Sequence, residues 1–344
     1  MTSTRIDPVA QRKLGKSPLS VTQLGVGTAP LGDLYQRVAE RDSGDMLSLG
    51  YDLGLRLYDT APLYGSGLAE HRAGGFLRQK PRADLVVSTK VGRWYQPAPN
   101  VANRGNWAGG LEFNATLDYS YDGAMRSFEQ SLLRLGLARV DVLLIHDVDV
   151  HTHGSREACD RCFDQAMEGA YRALIELRQS GDVSAIGVGV NESDMCARFA
   201  RAGDFDCMLL AGRYTLLEQG ALDEFLPLCE AKNIGVLAGG TFNSGILASG
   251  PKAGSKYNYA EAPQAVRNRV ARLGEICRVH GVPLAAAAIQ FPLGHPQVSS
   301  VVIGAVSAKE IRQNFELMSL NIPSALWSDL KREGLLRADA PVPA

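Results

Sequence analysis

Gly123-Ala-Met-Arg-Ser-Phe-Glu-Gln-Ser-Leu-Leu-Arg-Leu135, then Gly136-Leu-Ala-Arg139, then Val140-Asp-Val-Leu-Leu-Ile145 is the stretch on which the fold turns. Met125, Phe128, Leu132 and Leu135 recur at steps of three and four, the spacing of one helix face. The run that follows is apolar at every position but Asp141, too dense for a strand with one wet face. Such a run marks a buried parallel strand, so an amphipathic helix feeds a strand covered on both sides.

Working outward, the same alternation repeats along the chain. Short runs rich in Val, Ile and Leu at 23–27, 55–58, 85–88, 185–190, 207–210, 234–238 and 301–303 add seven strands to the one at 140–145. Helical spacing separates them, as at 166–179 with Met167, Tyr171, Leu174 and Leu177. Eight strand and helix pairs without a Pro/Gly/Ser linker predict one α/β domain over 1–344, a closed (β/α)8 TIM barrel. A dinucleotide-binding sheet is disfavoured, because Gly25-Val-Gly-Thr-Ala-Pro30 has Pro30 where the fingerprint needs its third glycine. Segments 92–120, 147–164 and 239–263 are too long for plain connections and each follows a strand. In a barrel they gather on the C-terminal face, where active sites are built. Segment 13–23, with Gly15 and Pro18, is expected to form a hairpin plugging the opposite end, and 323–336 a final amphipathic helix.

Bulk properties narrow the partners. A net charge of -1 with no cluster of Lys and Arg leaves nothing to grip a phosphate backbone or an anionic membrane. The first sixteen residues carry Arg5, Arg12 and Lys13 without the apolar core of a secretory signal, and no run approaches a membrane span. The six cysteines are mostly in helix- or strand-like runs, where buried free thiols are expected, which favours a reducing cytoplasm. A small-molecule substrate is the partner this leaves, with the oligomeric state undetermined.

Four ionisable residues fall at the ends of three successive strands: Asp59 and Tyr64, Lys90, and His146. A barrel brings those ends together. A tyrosine with an ordinary pKa of about 10 exchanges protons poorly at neutral pH, and a neighbouring ammonium lowers it by stabilising the phenolate. Lys90 can do this, Asp59 can hold Lys90, and His146 can hold a substrate oxygen near Tyr64. Together they make an acid/base set with Tyr64 as its proton carrier.

In these residues the chain resembles the aldo-keto reductase family. The likeness lies in Tyr58-Asp-Thr-Ala-Pro-Leu-Tyr-Gly65, Ser88-Thr-Lys-Val91 and Leu144-Ile-His-Asp147, and extends over about 21–315. It implies a (β/α)8 barrel, a nicotinamide cofactor and hydride transfer to or from a carbonyl carbon, with Asp59, Tyr64, Lys90 and His146 as the catalytic tetrad. The family's carboxamide-binding Ser-Asn pair falls on Gly189 and Val190, with Asn191 one place later as the expected substitute. Its Gln after the sixth strand falls on Ala211, and its nicotinamide-stacking aromatic on Gly239. In Val302-Ile-Gly-Ala-Val-Ser-Ala-Lys-Glu-Ile-Arg-Gln-Asn314, the positions that hold a ribose 2′-phosphate read Gly304, Ala305 and Glu310. A carboxylate there favours a free 2′-hydroxyl, so NAD is expected, with NADP as the alternative through Lys309 or Arg312. The resemblance implies cofactor contacts at Gly27, Thr28, Asp59, Asn191, Gly239, Ile303, Gly304, Glu310 and Asn314.

Gly187-Val-Gly-Val-Asn-Glu192 and His146-Asp-Val-Asp149 look like the sugar- and pyridoxal-dehydrogenase branch of that family. The implied reaction takes the C1 hydroxyl of an L-fucose or D-threo-aldose type sugar to a lactone, the alternatives being pyridoxal oxidation or general aldehyde and ketone reduction. Trp94 and Trp107 are expected as substrate walls beside Tyr64 and His146. Two readings of other classes compete. His151-Thr-His153 and Cys159-Asp-Arg-Cys162 have metal-ligand spacing, which fits a barrel hydrolase, but they lie in a polar insert after the fourth strand, and no metal is expected. A non-enzymatic cofactor-binding regulatory subunit is the other, against which stands the intact tetrad.

Overall fold

The computed structural model describes residues 5–99 and 105–343; residues 1–4, 100–104 and 344, which include part of the 92–120 segment, lie outside it. Its strands are β1 Gln11–Lys13, β2 Ser20–Thr22, β3 Leu24–Gly27, β4 Leu57–Asp59, β5 Val86–Val91, β6 Arg93–Pro97, β7 Phe113–Leu117, β8 Val142–His146, β9 Ala185–Val190, β10 Cys207–Ala211, β11 Gly235–Gly239, β12 Lys256–Tyr257, β13 Ala260–Glu261 and β14 Val298–Gly304. The helices are α1 Glu40–Asp52, α2 Leu68–Leu77, α3 Tyr121–Leu135, α4 Val150–His153, α5 Arg156–Gln165, α6 Tyr171–Ser180, α7 Ser193–Ala202, α8 Phe225–Lys232, α9 Ile246–Ser249, α10 Gln264–Val279, α11 Leu284–Gln290, α12 Ala308–Met318 and α13 Ser324–Arg332.

Strands β3, β4, β5, β8, β9, β10, β11 and β14 pair in parallel in that order, and β14 returns to β3 to close the barrel. The pairing sets Asp59 opposite Ser88, Lys90 opposite Leu144 and His146 opposite Gly189. Period-two alternation divides the apolar residues into two cores. Leu57, Val142, Leu144, Ala185, Cys207, Leu209, Leu237 and Val302 fill the barrel, while Tyr58, Leu143, Ile145 and their neighbours face the helices. Asp59, Lys90 and His146 share the inward parity of Leu57, Ser88 and Leu144, so the strands themselves deliver them to the barrel mouth.

Capping sets the limits of α3. Ser120 accepts the Gly123 N–H and starts α3, and Gly136, at φ +62°, ends it. The expected N-terminal hairpin forms from β1 and β2 and drives Leu14 and Val21 into the interior core. Backbone meets backbone there: a Cβ on Gly15 would stand 2.3 Å from the oxygen of Asp206.

Several expected boundaries move. Strand β5 runs on to Val91, so Lys90 lies within it, because an inward polar residue at the barrel mouth does not end a strand. The insert 147–164 is helical, with Asp149 capping α4 and Ser155 capping α5. Segment 92–120 contains the β6–β7 hairpin, and 239–263 contains α9 and the β12–β13 hairpin. The helix expected at 166–179 opens with a π-helical turn, Ala166–Ala170, where a Cβ on Gly169 would lie 2.7 Å from the backbone of Ser120. Among the described residues no single helix is long and apolar enough to cross a membrane.

Candidate active site

Tyr64 stands in the turn after β4, where two backbone segments nearly touch. A Cβ on Gly32 would lie 2.5 Å from the carbonyl carbon of Tyr64, and one on Gly65, at φ +63°, would lie 2.4 Å from the oxygen of Gly32. Only glycine permits that approach, and the pair clamps Tyr64 over the barrel mouth.

Beneath it, Lys90 is 1% exposed and its ammonium is saturated. Nζ donates to both oxygens of Asp59 at 3.0 and 2.8 Å and to the Thr60 carbonyl at 2.7 Å. Ser88 Oγ donates to Asp59 Oδ1 at 2.8 Å. A buried charge needs such pairing. Gly189 leaves room for the lysine stem, since a Cβ there would sit 3.4 Å from Cε of Lys90.

Nζ lies 5.0 Å from the centroid of the Tyr64 ring. Even so, Tyr64 is pushed well above its ordinary pKa, first by burial, then by Asp59 and Asp147, with Arg93 opposing. The expectation that Lys90 lowers it is thereby corrected for the protein alone. The carboxylate that answers the ammonium also faces the tyrosine, and Tyr64 is a phenol at neutral pH.

His146 meets Tyr64 edge-on, with ring centroids 6.1 Å apart. Arg93 Nη1 approaches its Nδ1 at 3.4 Å, and its Nε2 lies 3.3 Å from Asp147 Oδ1. The guanidinium must donate, so the network assigns Nδ1 as acceptor and the proton to Nε2. Burial, then Lys90 and Arg93, hold the pKa of His146 well below its ordinary value, and the imidazole is neutral. Arg93 Nη2 closes the cluster on Asp147 Oδ2 at 2.9 Å.

Tyr64, Lys90, Arg93, Trp107, His146, Asp147 and Tyr259 help to line a cavity of about 300 Å³. An adjoining cleft of about 970 Å³ shares Tyr64, Asn191 and Tyr259 with it. Gly27, Thr28, Asp59, Asn191, Gly239, Ile303, Gly304 and Glu310 all line that cleft. Asn314 does not: it falls with Ile311 and Met318 in the buried stripe of α12. Trp107 lies 5.8 Å from Tyr64, centroid to centroid. Trp94 is the correction, because it follows Arg93 on β6 and alternation turns it outward. It packs under the Arg126 guanidinium at 3.7 Å and donates Nε1–H to Asp118 at 3.2 Å. Arg93, Asp147 and Tyr259 are the residues that sequence reasoning missed.

The model of the Aldo/keto reductase family matches residues 23–332. The chain belongs to that family. Among its relatives are a pyridoxal 4-dehydrogenase from Microbacterium luteolum, 45% identical over 95% of this chain and 98% of its own, and a D-threo-aldose 1-dehydrogenase from Pseudomonas sp, 40% identical over 92% and 95%. An aldo-keto reductase from Bacillus halodurans, solved in its holo form, has the same fold at a TM-score of 0.73, with 22% identity over 96% of this chain and 98% of that one.

Aldo-keto reductases are oxidoreductases that use nicotinamide dinucleotides, and the cleft of this one fits such a group. A Cβ on Gly304 would stand 2.6 Å from Cγ of Pro30, which keeps backbone rather than side chain at the wall. Glu192 Oε2 and Asn243 Oδ1, on residues of the same wall, are buried acceptors without a donor. A ligand bearing a carboxamide and ribose hydroxyls brings the missing donors. The ligand-like pairs of the insert diverge. His151 stacks on Tyr259 at 6.0 Å, while His153 contacts the Tyr119 hydroxyl and the Cys162 thiol at 3.3 and 3.4 Å. Among the described residues no group of three His, Cys, Asp or Glu forms a metal cluster, and the cysteines are free thiols.

Proposed function

We propose that this chain is an NAD-linked dehydrogenase of cyclic hemiacetals, oxidising the C1 hydroxyl of an aldose to the lactone. The observation that carries it is the meeting of the Tyr64 phenol and the neutral, Nε2-protonated His146 on one small cavity with two internally neutralised ion pairs, Lys90–Asp59 and Arg93–Asp147. Such a cavity suits an uncharged polyol. The substrates named by the two relatives agree with it, because aldoses and pyridoxal are both hydroxyaldehydes that close to a ring bearing a CH–OH.

The dinucleotide supplies the hydride acceptor when bound. His146 Nε2–H donates to the substrate's reacting oxygen and orients it toward Tyr64. In oxidation the hydroxyl proton passes to the Tyr64 phenolate, the C–H electron pair leaves as hydride, and the carbon becomes the lactone carbonyl. In reduction Tyr64 returns the proton to the oxygen. Lys90 and Asp59 keep the floor beneath the ring fixed and dry.

Cofactor choice rests on Glu310. Its Oε2 accepts the Val306 N–H at 2.9 Å, which is also a helix-capping role, and the residue lines the cleft. A carboxylate held there repels a 2′-phosphate and accepts from a 2′-hydroxyl. Pyridoxal is the second reading, favoured by the Trp107 ring beside Tyr64, a flat wall for a heteroaromatic ring. The test is the initial rate of NADH and of NADPH formation with L-fucose, D-arabinose, L-galactose and pyridoxal, with the product checked as lactone. NADH formation with a sugar is expected. NADPH alone overturns the role of Glu310, and no oxidation of any hemiacetal overturns the reading.

A further inference from the structure

Asp147 takes no part in the proton and hydride steps above, yet its side chain lines the same cavity as its neighbour His146. Strand geometry sends consecutive side chains to opposite faces. The alternation is broken by the backbone of Asp147 itself, at φ +54°, a left-handed conformation that outside glycine is adopted mostly by Asp and Asn. The surroundings enforce it. Its N–H donates to the Gly189 carbonyl at 3.0 Å, and the Tyr119 hydroxyl donates to the carbonyls of His146 and Asp147 at 2.8 and 3.2 Å.

Arg93 arrives by a second positive-φ turn. Gly92, at φ +110°, packs so closely on Tyr119 that a Cβ would lie 2.5 Å from the ring. One buried tyrosine therefore supports both turns that aim Arg93 and Asp147 at the cavity. The two are each 7% exposed. Burial raises the Asp147 carboxyl, and Arg93 opposes this. A buried ion pair is seldom a better stabiliser than an apolar pair of equal volume, so stability alone does not account for this one on a cavity wall.

We propose that Arg93 and Asp147 form a positioning and specificity pair: Arg93 fixes the His146 ring through Nδ1, and Asp147 accepts a hydrogen bond from the substrate hydroxyl next to the reacting one. Nε2 of His146 and Oδ1 of Asp147 meet each other at 3.3 Å, and a substrate with hydroxyls on adjacent carbons replaces that contact, one oxygen taking the Nε2–H and the neighbouring hydroxyl giving its proton to Oδ1. The recognised class is a hemiacetal with a free hydroxyl on the adjacent ring carbon. This rests on the hemiacetal-dehydrogenase reading and deepens it, since an aldose carries that hydroxyl and the pyridoxal hemiacetal has a ring carbon without one there.

The test compares an oxidised aldose with its 2-deoxy analogue. Wild type is expected to prefer the parent sugar by about tenfold or more in kcat/KM, the scale of one hydrogen bond to a charged group. Asp147→Asn is expected to lower kcat/KM for the parent about tenfold more than for the analogue, mainly through KM. Equal use of both sugars by wild type, or equal losses in the variant, overturns the role of Asp147; the first comparison needs no variant to fold. The second readout is 15N NMR of the His146 ring without substrate or cofactor. The charged and titratable groups facing that ring are Lys90, Arg93, Asp147 and Tyr64. A single Nε2–H tautomer is expected in wild type and a mixture in Arg93→Met. A mixture in wild type, or no change in the variant, overturns the role of Arg93. If wild type oxidises no hemiacetal, the function proposed above fails, while the NMR result still decides the positioning role.

Discussion

Tyr64 holds its proton at neutral pH, so the two directions of the reaction ask opposite things of it. Reduction uses the phenol, present throughout the neutral range. Oxidation uses the phenolate, whose share grows about tenfold per pH unit below the pKa. With that pKa raised by burial and by Asp59 and Asp147, kcat/KM for oxidation should climb from neutral into alkaline pH while reduction stays nearly flat. A plateau in oxidation already reached at neutral pH would contradict the assignment. Tyr64→Phe should cut turnover by about 10²- to 10⁴-fold with an unchanged melting temperature. The tetrad was legible because Asp59, Lys90 and His146 share one parity on successive strands and Tyr64 follows the first. Arg93 and Asp147 were not legible as site residues. Their aim depends on positive φ at residues 92 and 147, which no pattern of side chains records.

At the scale of elements, the start of α12 joins stability to cofactor choice. Ser307 Oγ accepts the Glu310 N–H at 3.3 Å while Glu310 reaches back to the Val306 N–H. Ser307→Ala should cost about 1 kcal/mol, read in a denaturant melt, without changing the ratio of NAD to NADP use. Glu310→Gln keeps an acceptor for Val306 and removes the charge, so it should shift that ratio toward NADP by about tenfold. A ratio that moves with Ser307 and not with Glu310 would mean that the carboxylate only caps. The insert at 147–164 shows why some elements escaped. Its many charged residues suggest a loop, while Cys159 and Phe163, four apart, supply the buried contacts of α5, too few to announce a helix.

For the whole molecule, eight largely apolar strands were legible because a parallel barrel covers both faces of each. Its closure was expected from the count of eight strand and helix pairs, although nothing in either stretch marks β14 as the partner of β3. The hairpin beneath adds a second seal. Leu14 is fully buried in the interior core, and Leu14→Ala should cost about 2–5 kcal/mol, seen as a lower melting temperature. A smaller loss would mean that the plug is dispensable.

Arg12 donates to the carbonyls of Leu293 and Val298, and Ser299 donates to that of Lys13. Residues 12 and 13 thus wait for partners 281 to 286 residues further along the chain. A nascent chain that stops short of Val298 has seven barrel strands, a plug without its bonds to Val298 and Ser299, and two bare edges facing each other. Its safety during synthesis depends on how quickly the final strand arrives.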